Sequence, residues 1–197
     1  MGEAGARGRL PSTFYSRDTL TVARELLGRR LVRVLRGQRL SGLICETEAY
    51  RGADDEASHA YRRTARSEIM YGPAGRAYVY FIYGMHYCLN AVTEEDAQPG
   101  AVLLRAILPE EGLEVMRERR GHPPDSRLTD GPGKLCQALA IGLEQNGLDL
   151  VTDSGLFIEE GRPAPDAAVL ITTRIGVRGS ADARSRPWRF VWQPERS

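Results

Sequence analysis

Leu20, Ala23, Leu26 and Leu27 recur at the spacing of one helical face. Ser16 can cap them and Gly28 stops them, which predicts a helix over residues 17–27. Two largely apolar runs follow, residues 30–35 and 40–49, and read as strands turned over Gly37 and Gln38. Aromatic and β-branched runs over 78–82 and 87–92 flank Gly84 and read as a hairpin, and 101–107 reads as a buried strand. Helices fit 109–120 and 134–140, and strands fit 168–175 and 188–192. Gly, Ala and Arg dominate the first dozen residues up to Pro11, so 1–13 is expected as a flexible arm ahead of one domain over 14–197. No internal repeat divides that domain. The order of elements predicts an α+β fold: one compact domain with a curved, mainly antiparallel sheet, flanking helices and a protruding β-hairpin. Residues 52–77 show little periodicity, as functional loops do.

Composition narrows the picture. A chain of 197 residues with 42% hydrophobic positions has one sizeable core, and it holds no apolar run long enough to cross a bilayer. The formal net charge of +1 announces no polyanion binder, but it conceals an uneven distribution. Residues 1–40 carry nine Arg against three acids, and 171–197 carry six Arg against two acids. Residues 91–125 carry eight acids against four Arg. A near-neutral total can thus hide a basic face. Lys134 is the only lysine, so chemistry requiring a lysine amine has one side chain available. Cys45, Cys88 and Cys136 form no C-x-x-C pair and sit in apolar stretches, as reduced thiols of an intracellular protein do. The amino-terminal stretch has no apolar signal core and no myristoylation pattern, so no membrane attachment is expected.

Four segments carry candidate chemistry. In 45–50, the period of two puts Glu46, Glu48 and Tyr50 on one face at a strand end, a setting for acid/base work by one carboxylate or by the pair. In 54–59, Asp54, Asp55, Glu56 and His59 are possible metal ligands, but three consecutive acids point in different directions. Gly131-Pro132-Gly133-Lys134 lacks the first Gly and the Ser or Thr of a Walker loop; as a helix start it can still seat a phosphate. The aromatic run 78–87 reads first as core, yet Tyr83 precedes the turn glycine and can project from the hairpin tip, where a flat ring stacks on bases or wedges between them.

ETEAY (46–50), DDEASH (54–59), YVYFIYGMHYCLN (78–90), VLLRA (102–106) and GPGKLCQALAI (131–141) occur in that order. Together they resemble the alkyladenine (3-methyladenine) DNA glycosylase family, over about residues 14–192. The resemblance implies base-excision repair: a damaged purine is flipped out of double-stranded DNA and its N-glycosidic bond is hydrolysed, with no metal or other cofactor. It also implies roles. Glu48 matches the general base that activates water. Arg105 matches a residue that helps to hold that water, and Ile175 falls where the family uses a backbone carbonyl for the same purpose. Tyr50, His59 and Tyr80 match walls that stack on the flipped base, and Asn90 the side chain that crowds the 2-amino group of normal guanine. Tyr83 matches the wedge in the duplex and Lys134 a DNA contact.

The chemistry agrees with these assignments. A purine alkylated at N3 or N7 is cationic, so it leaves readily and attracts aromatic faces, and one carboxylate base suffices. A monomer that cuts no strand is expected. The chain departs from the family in the 93–100 connection, which is slightly longer and acidic at Glu94, Glu95 and Asp96. The alternatives are a nucleic-acid-binding module without catalysis, against which the intact Glu48 and Arg105 speak, and, last, a metal-dependent hydrolase using His59 and its neighbouring acids.

Overall fold

A 13-residue strand, β2 (Gln38–Tyr50), is the spine of the molecule. It begins in a hairpin with β1 (Arg30–Leu35), pairs along most of its length with β5 (Gly100–Glu111), and ends at ETEAY. The computed structural model describes residues 8–95 and 97–194. The remaining strands are β3 (Ala77–Ile82), β4 (His86–Thr93), β6 (Leu156–Glu159), β7 (Val169–Thr172) and β8 (Arg189–Trp192). Among the described residues these eight strands form one sheet in the order β3-β4-β5-β2-β1-β6, with β8 added to the far half of β2 and β7 to β8. All of the pairings between them are antiparallel.

Five helices accompany the sheet: α1 (Ser12–Tyr15), α2 (Thr19–Glu25), α3 (Leu113–Arg120), α4 (Pro132–Leu139) and α5 (Ala181–Ser185) among the described residues. α2 packs on β2 and β5, α4 on β4 and β5, and α3 on α4. The core lies between them, with Leu26, Leu27, Ile44, Leu89, Leu104 and Leu135 fully buried. A second, smaller cluster of Ala60, Met70, Tyr78, Val92 and Ala101 ties the 52–77 loop to the sheet. That loop is therefore packed, and it forms a wall.

The predicted elements exist, with shifted edges. Helix α2 is shorter than 17–27 because Asp18 caps it, its Oδ1 accepting from the Thr21 amide at 2.9 Å, so Ser16 does not. The first hairpin turns over Arg36 and Gly37, both with positive φ, one residue earlier than expected. The expected helix over 109–120 begins only at Leu113. Pro109 lies in β5 opposite Gly42, at a register shift that a missing ladder donor tolerates, and Gly112 at φ 76° ends the strand before the helix can start. The expected strands 168–175 and 188–192 shorten to β7 and β8, which leaves Ile175 in a loop. Strand β6 was not foreseen; only four residues long, it offers too few positions to show a period.

Part of the expected arm also differs. Residues 1–7 lie outside the described residues, but 8–13 are packed: Arg9 bridges to Glu159, the Leu10 amide donates to Ile158 at 3.0 Å, and Leu10 is 0% exposed. The apolar pattern of this segment is a single leucine, too little to reveal a docking site. In the 93–100 connection, Glu94 is structural, since its carboxylate accepts from the Thr19 amide at 2.8 Å and from its hydroxyl at 2.6 Å; Asp96 lies outside the described residues. None of the described helices is long and apolar enough to cross a membrane.

If Leu10 is a core residue, Leu10→Ala removes buried apolar volume and lowers unfolding stability by about 2–5 kcal/mol, measured by urea denaturation. A midpoint equal to that of the wild type would return the segment to a loose arm.

Candidate active site

The end of β2 delivers a carboxylate into the interior. The alternation expected of residues 46–50 holds, so Glu46, Glu48 and Tyr50 share one face and Ala49 turns to the core. Glu48 is 0% exposed. Three donors converge on it: the Tyr50 hydroxyl reaches Oε2 at 2.7 Å, the Ile175 amide reaches Oε1 at 2.7 Å, and Arg105 Nη1 stands 3.3 Å from Oε1. They come from β2 itself, from the loop after β7 and from the middle of β5, and none is near the others in sequence.

These donors are themselves conditioned. Burial works against the charge of the Arg105 guanidinium, but Glu48 and Glu46 more than offset it and hold its pKa above the ordinary value. Burial, reinforced by the neighbouring Glu48, pushes the Tyr50 hydroxyl well above the usual tyrosine range, so it remains a proton donor at neutral pH. Glu46 does not pair with Glu48 as a second acid. Its Oε1 accepts from Arg105 Nε at 2.7 Å and lies 2.8 Å from Arg189 Nε on β8, so it anchors the guanidinium that faces Glu48.

In front of this carboxylate opens a cavity of about 920 Å³. Every residue expected at the site except Glu48 lines it: Tyr50, His59, Tyr80, Tyr83, Asn90, Arg105, Lys134 and Ile175. The aromatic wall is tightly packed. The His59 ring meets Tyr80 edge-on with centroids 4.6 Å apart, and His59 Nδ1 lies 2.8 Å from the Tyr78 hydroxyl. Burial and the nearby Arg66 lower the His59 pKa to about 4, so the imidazole is neutral at pH 7. Asn90, almost wholly buried on β4, donates to the Tyr78 carbonyl at 3.0 Å, which fixes its amide against the pocket floor. Burial also raises the Tyr80 hydroxyl above its usual range.

At the rim, the β3–β4 hairpin turns over Tyr83 and Gly84, both at positive φ, the combination that matches the twist of the flanking strands. A tyrosine pays for that conformation with strain, and Tyr83 is 73% exposed, so no packing explains its presence. Opposite it, Gly131 and Pro132 open α4 as expected of a helix start. Gly133 lies against His86, where a Cβ would come within 2.9 Å of the ring, and Lys134 Nζ pairs with Asp130 at 2.7 Å.

The residues of DDEASH diverge, which removes the metal reading. Asp55 pairs with Arg174, the Glu56 carboxylate accepts from the Ser180 amide, and His59 turns to Tyr78. Sequence reasoning missed Arg174, Tyr78 and Arg66, whose guanidinium lies 4.8 Å from the centroid of the Tyr80 ring. Tyr78 was readable only as one ring of an aromatic strand, and Arg66 only as one of many arginines.

Comparison with known proteins gives the arrangement its context. The family model for methylpurine-DNA glycosylase matches residues 13–196. A Clostridium acetobutylicum protein named "Putative 3-methyladenine DNA glycosylase" is 48% identical over 192 residues, covering 92% of this chain and 93% of its own. Proteins of the same name from Desulfitobacterium hafniense and Carboxydothermus hydrogenoformans are 45% and 47% identical, each over 92% of this chain and 94% and 93% of their own. The chain belongs to the methylpurine-DNA glycosylase family and is a DNA glycosylase, a hydrolase of N-glycosyl bonds.

Proposed function

We propose that this glycosylase, acting as a monomer, flips alkylated and deaminated purines out of double-stranded DNA and hydrolyses their N-glycosidic bond with a water activated by Glu48. The observation that carries this reading is a carboxylate with no exposure, fixed by three donors, behind an aromatic cavity large enough for a purine nucleotide. In the reaction, water attacks C1′ and passes a proton to the Glu48 carboxylate. The electrons of the C1′–N bond leave with the base, which departs neutral when alkylation had made it cationic; a neutral deaminated base departs as an anion and takes its proton from solvent.

The other residues follow from their surroundings. Tyr50, Tyr80 and the neutral ring of His59 supply faces and edges to a planar base without adding charge of their own. Arg105 and the backbone of Ile175 hold the carboxylate and the attacking water. Asn90 excludes the 2-amino group of normal guanine, because its amide is fixed and cannot withdraw. Tyr83 fills the space the flipped base leaves, and Lys134 meets the DNA backbone. A damaged or mispaired base costs less to unstack, which adds selectivity before the pocket is reached.

Glu48→Gln keeps shape and most hydrogen bonding but removes the base. Single-turnover release from a duplex carrying one defined lesion is expected to fall by about a hundredfold or more, with binding of the same duplex retained. Release within a few-fold of wild type would reassign the catalytic group.

Tyr83→Ala is expected to weaken flipping, because the ring replaces stacking worth about 1–3 kcal/mol per base. Fluorescence of a base analogue beside the lesion reads this directly, and an unchanged signal would remove Tyr83 from the wedge role.

Strand cleavage by β-elimination proceeds through a Schiff base to an amine. Lys134, the only lysine, is held by Asp130, so the enzyme is expected to leave an intact abasic site and borohydride to trap no covalent adduct during turnover. An adduct mapping to Lys134 or to the terminal amine, which lies outside the described residues, would overturn the water mechanism.

A further inference from the structure

The loop that brings the Ile175 amide to Glu48 has no regular structure of its own, since β7 ends at Thr172 and α5 begins only at Ala181. A catalytic carboxylate held partly by a loop amide is only as well placed as the loop. What fixes this loop is the residue before Ile175. Arg174 and Asp55 form a bidentate ion pair, Nη1 to Oδ2 at 2.6 Å and Nη2 to Oδ1 at 2.8 Å, with both side chains 0% exposed.

The remaining bonds of this pair reach the segments that form the site. Arg174 Nη1 also donates to the Ala49 carbonyl at 3.0 Å, between Glu48 and Tyr50 on β2, and Nη2 to the Ala183 carbonyl of α5 at 2.9 Å. The guanidinium carbon lies 4.8 Å from the Tyr50 ring centroid and 5.0 Å from that of Trp188, whose carbonyl in turn accepts the Ala49 amide at 2.9 Å. Asp55 accepts the Arg51 and Ala57 amides, each at 3.2 Å, and so sets the loop that runs on to His59.

A fully buried ion pair is weak evidence of a stability role, because desolvation takes back most of the Coulombic gain; its better-attested use is to specify one arrangement. The arrangement specified here joins the carboxylate strand, the amide loop and the base-wall loop. We propose that Arg174 and Asp55 are positioning residues for catalysis: their pair registers the Ile175 amide and the Tyr50 hydroxyl on Glu48 while touching no substrate. The inference rests on Glu48 as the catalytic carboxylate.

Arg174→Lys keeps the charge but loses the fork, and Asp55→Asn keeps the shape but loses the ion pair. For each variant, single-turnover release from a single-lesion duplex is expected to fall at least about tenfold, because small misplacements of reacting groups are costly. The Kd for a duplex carrying an uncleavable lesion analogue is expected to stay within about threefold, since the cavity surface is unchanged. Release at the wild-type rate in both variants overturns the proposal, as does a loss of affinity that matches the loss of rate. Hydrogen exchange of the wild-type protein tests the same claim without a variant that must fold. The Ile175 amide is expected to exchange at least about tenfold more slowly than the adjacent Gly176 and Val177 amides, and equal rates overturn the proposal. Failure of the parent reading looks different: Glu48→Gln would then release base at the wild-type rate, whatever the Arg174 variants do.

Discussion

Glu48 places a carboxylate beneath the protein surface, with no exposure to bulk solvent, and much of the surrounding structure answers that constraint. An isolated ionised carboxylate in a low-dielectric interior is prohibitively costly, so it must be met by donors and an opposite charge. The fold supplies Arg105 from β5, the Tyr50 hydroxyl from the same strand, and the Ile175 amide from a loop more than a hundred residues away in sequence. Arg105 then needs its own setting, which Glu46 provides from β2, itself met by Arg189 on β8. The carboxylate is thus the centre of nested pairings that reach from the spine strand to both sides of the sheet.

The antiparallel layout makes this convergence possible. Because β2 is 13 residues long, its first half belongs to the β1–β6 side of the sheet and its second half pairs with β8. The polar face of that second half is covered by the loops after β2 and β7 and by the aromatic β3–β4 hairpin. The apolar face is covered by α2, through contacts such as the Thr47 hydroxyl donating to the Ala23 carbonyl at 2.8 Å. One strand therefore carries core on one side and the candidate site on the other. A one-residue slip of its register would bury Ala49 in the cavity and Glu48 in the core, so the hydrophobic pattern that specifies the fold also aims the Glu48 carboxylate.

Much of this was legible in the chain. Alternation at 46–50 placed Glu48 and Tyr50 on one face, the hairpin around Gly84 put Tyr83 at a tip, and ordered motifs across nearly the whole chain pointed to the family. What escaped was of two kinds. Boundaries failed where a side chain overrode the pattern, as when Asp18 captured the start of α2 or Pro109 stayed in a strand. The supporting residues failed because partnership is a three-dimensional fact. Among so many arginines, nothing local distinguishes Arg174, which is buried on Asp55, from Arg178, which is exposed at the rim of the cavity. Asp55 in turn stood in a run of acids, where charge alone does not name its partner.

The same distinction resolves the net charge of +1, which on its face gives no reason for this protein to meet a polyanion. Many acids are spent on particular arginines away from the cavity: Glu110 on Arg30, Glu111 and Glu159 on Arg39, and Asp125 on Arg117. The cavity margin instead gathers Arg66, Arg120 and Arg178, while Lys134 there is paired with Asp130 and Glu56 is held by the Ser180 amide. Charges that are paired at short range contribute little field at a distance, while cations clustered at a concave opening focus theirs outward. A chain can therefore be electrically neutral as a composition and still present a positive mouth to the phosphates of DNA, because placement rather than sum determines what an approaching polyanion meets.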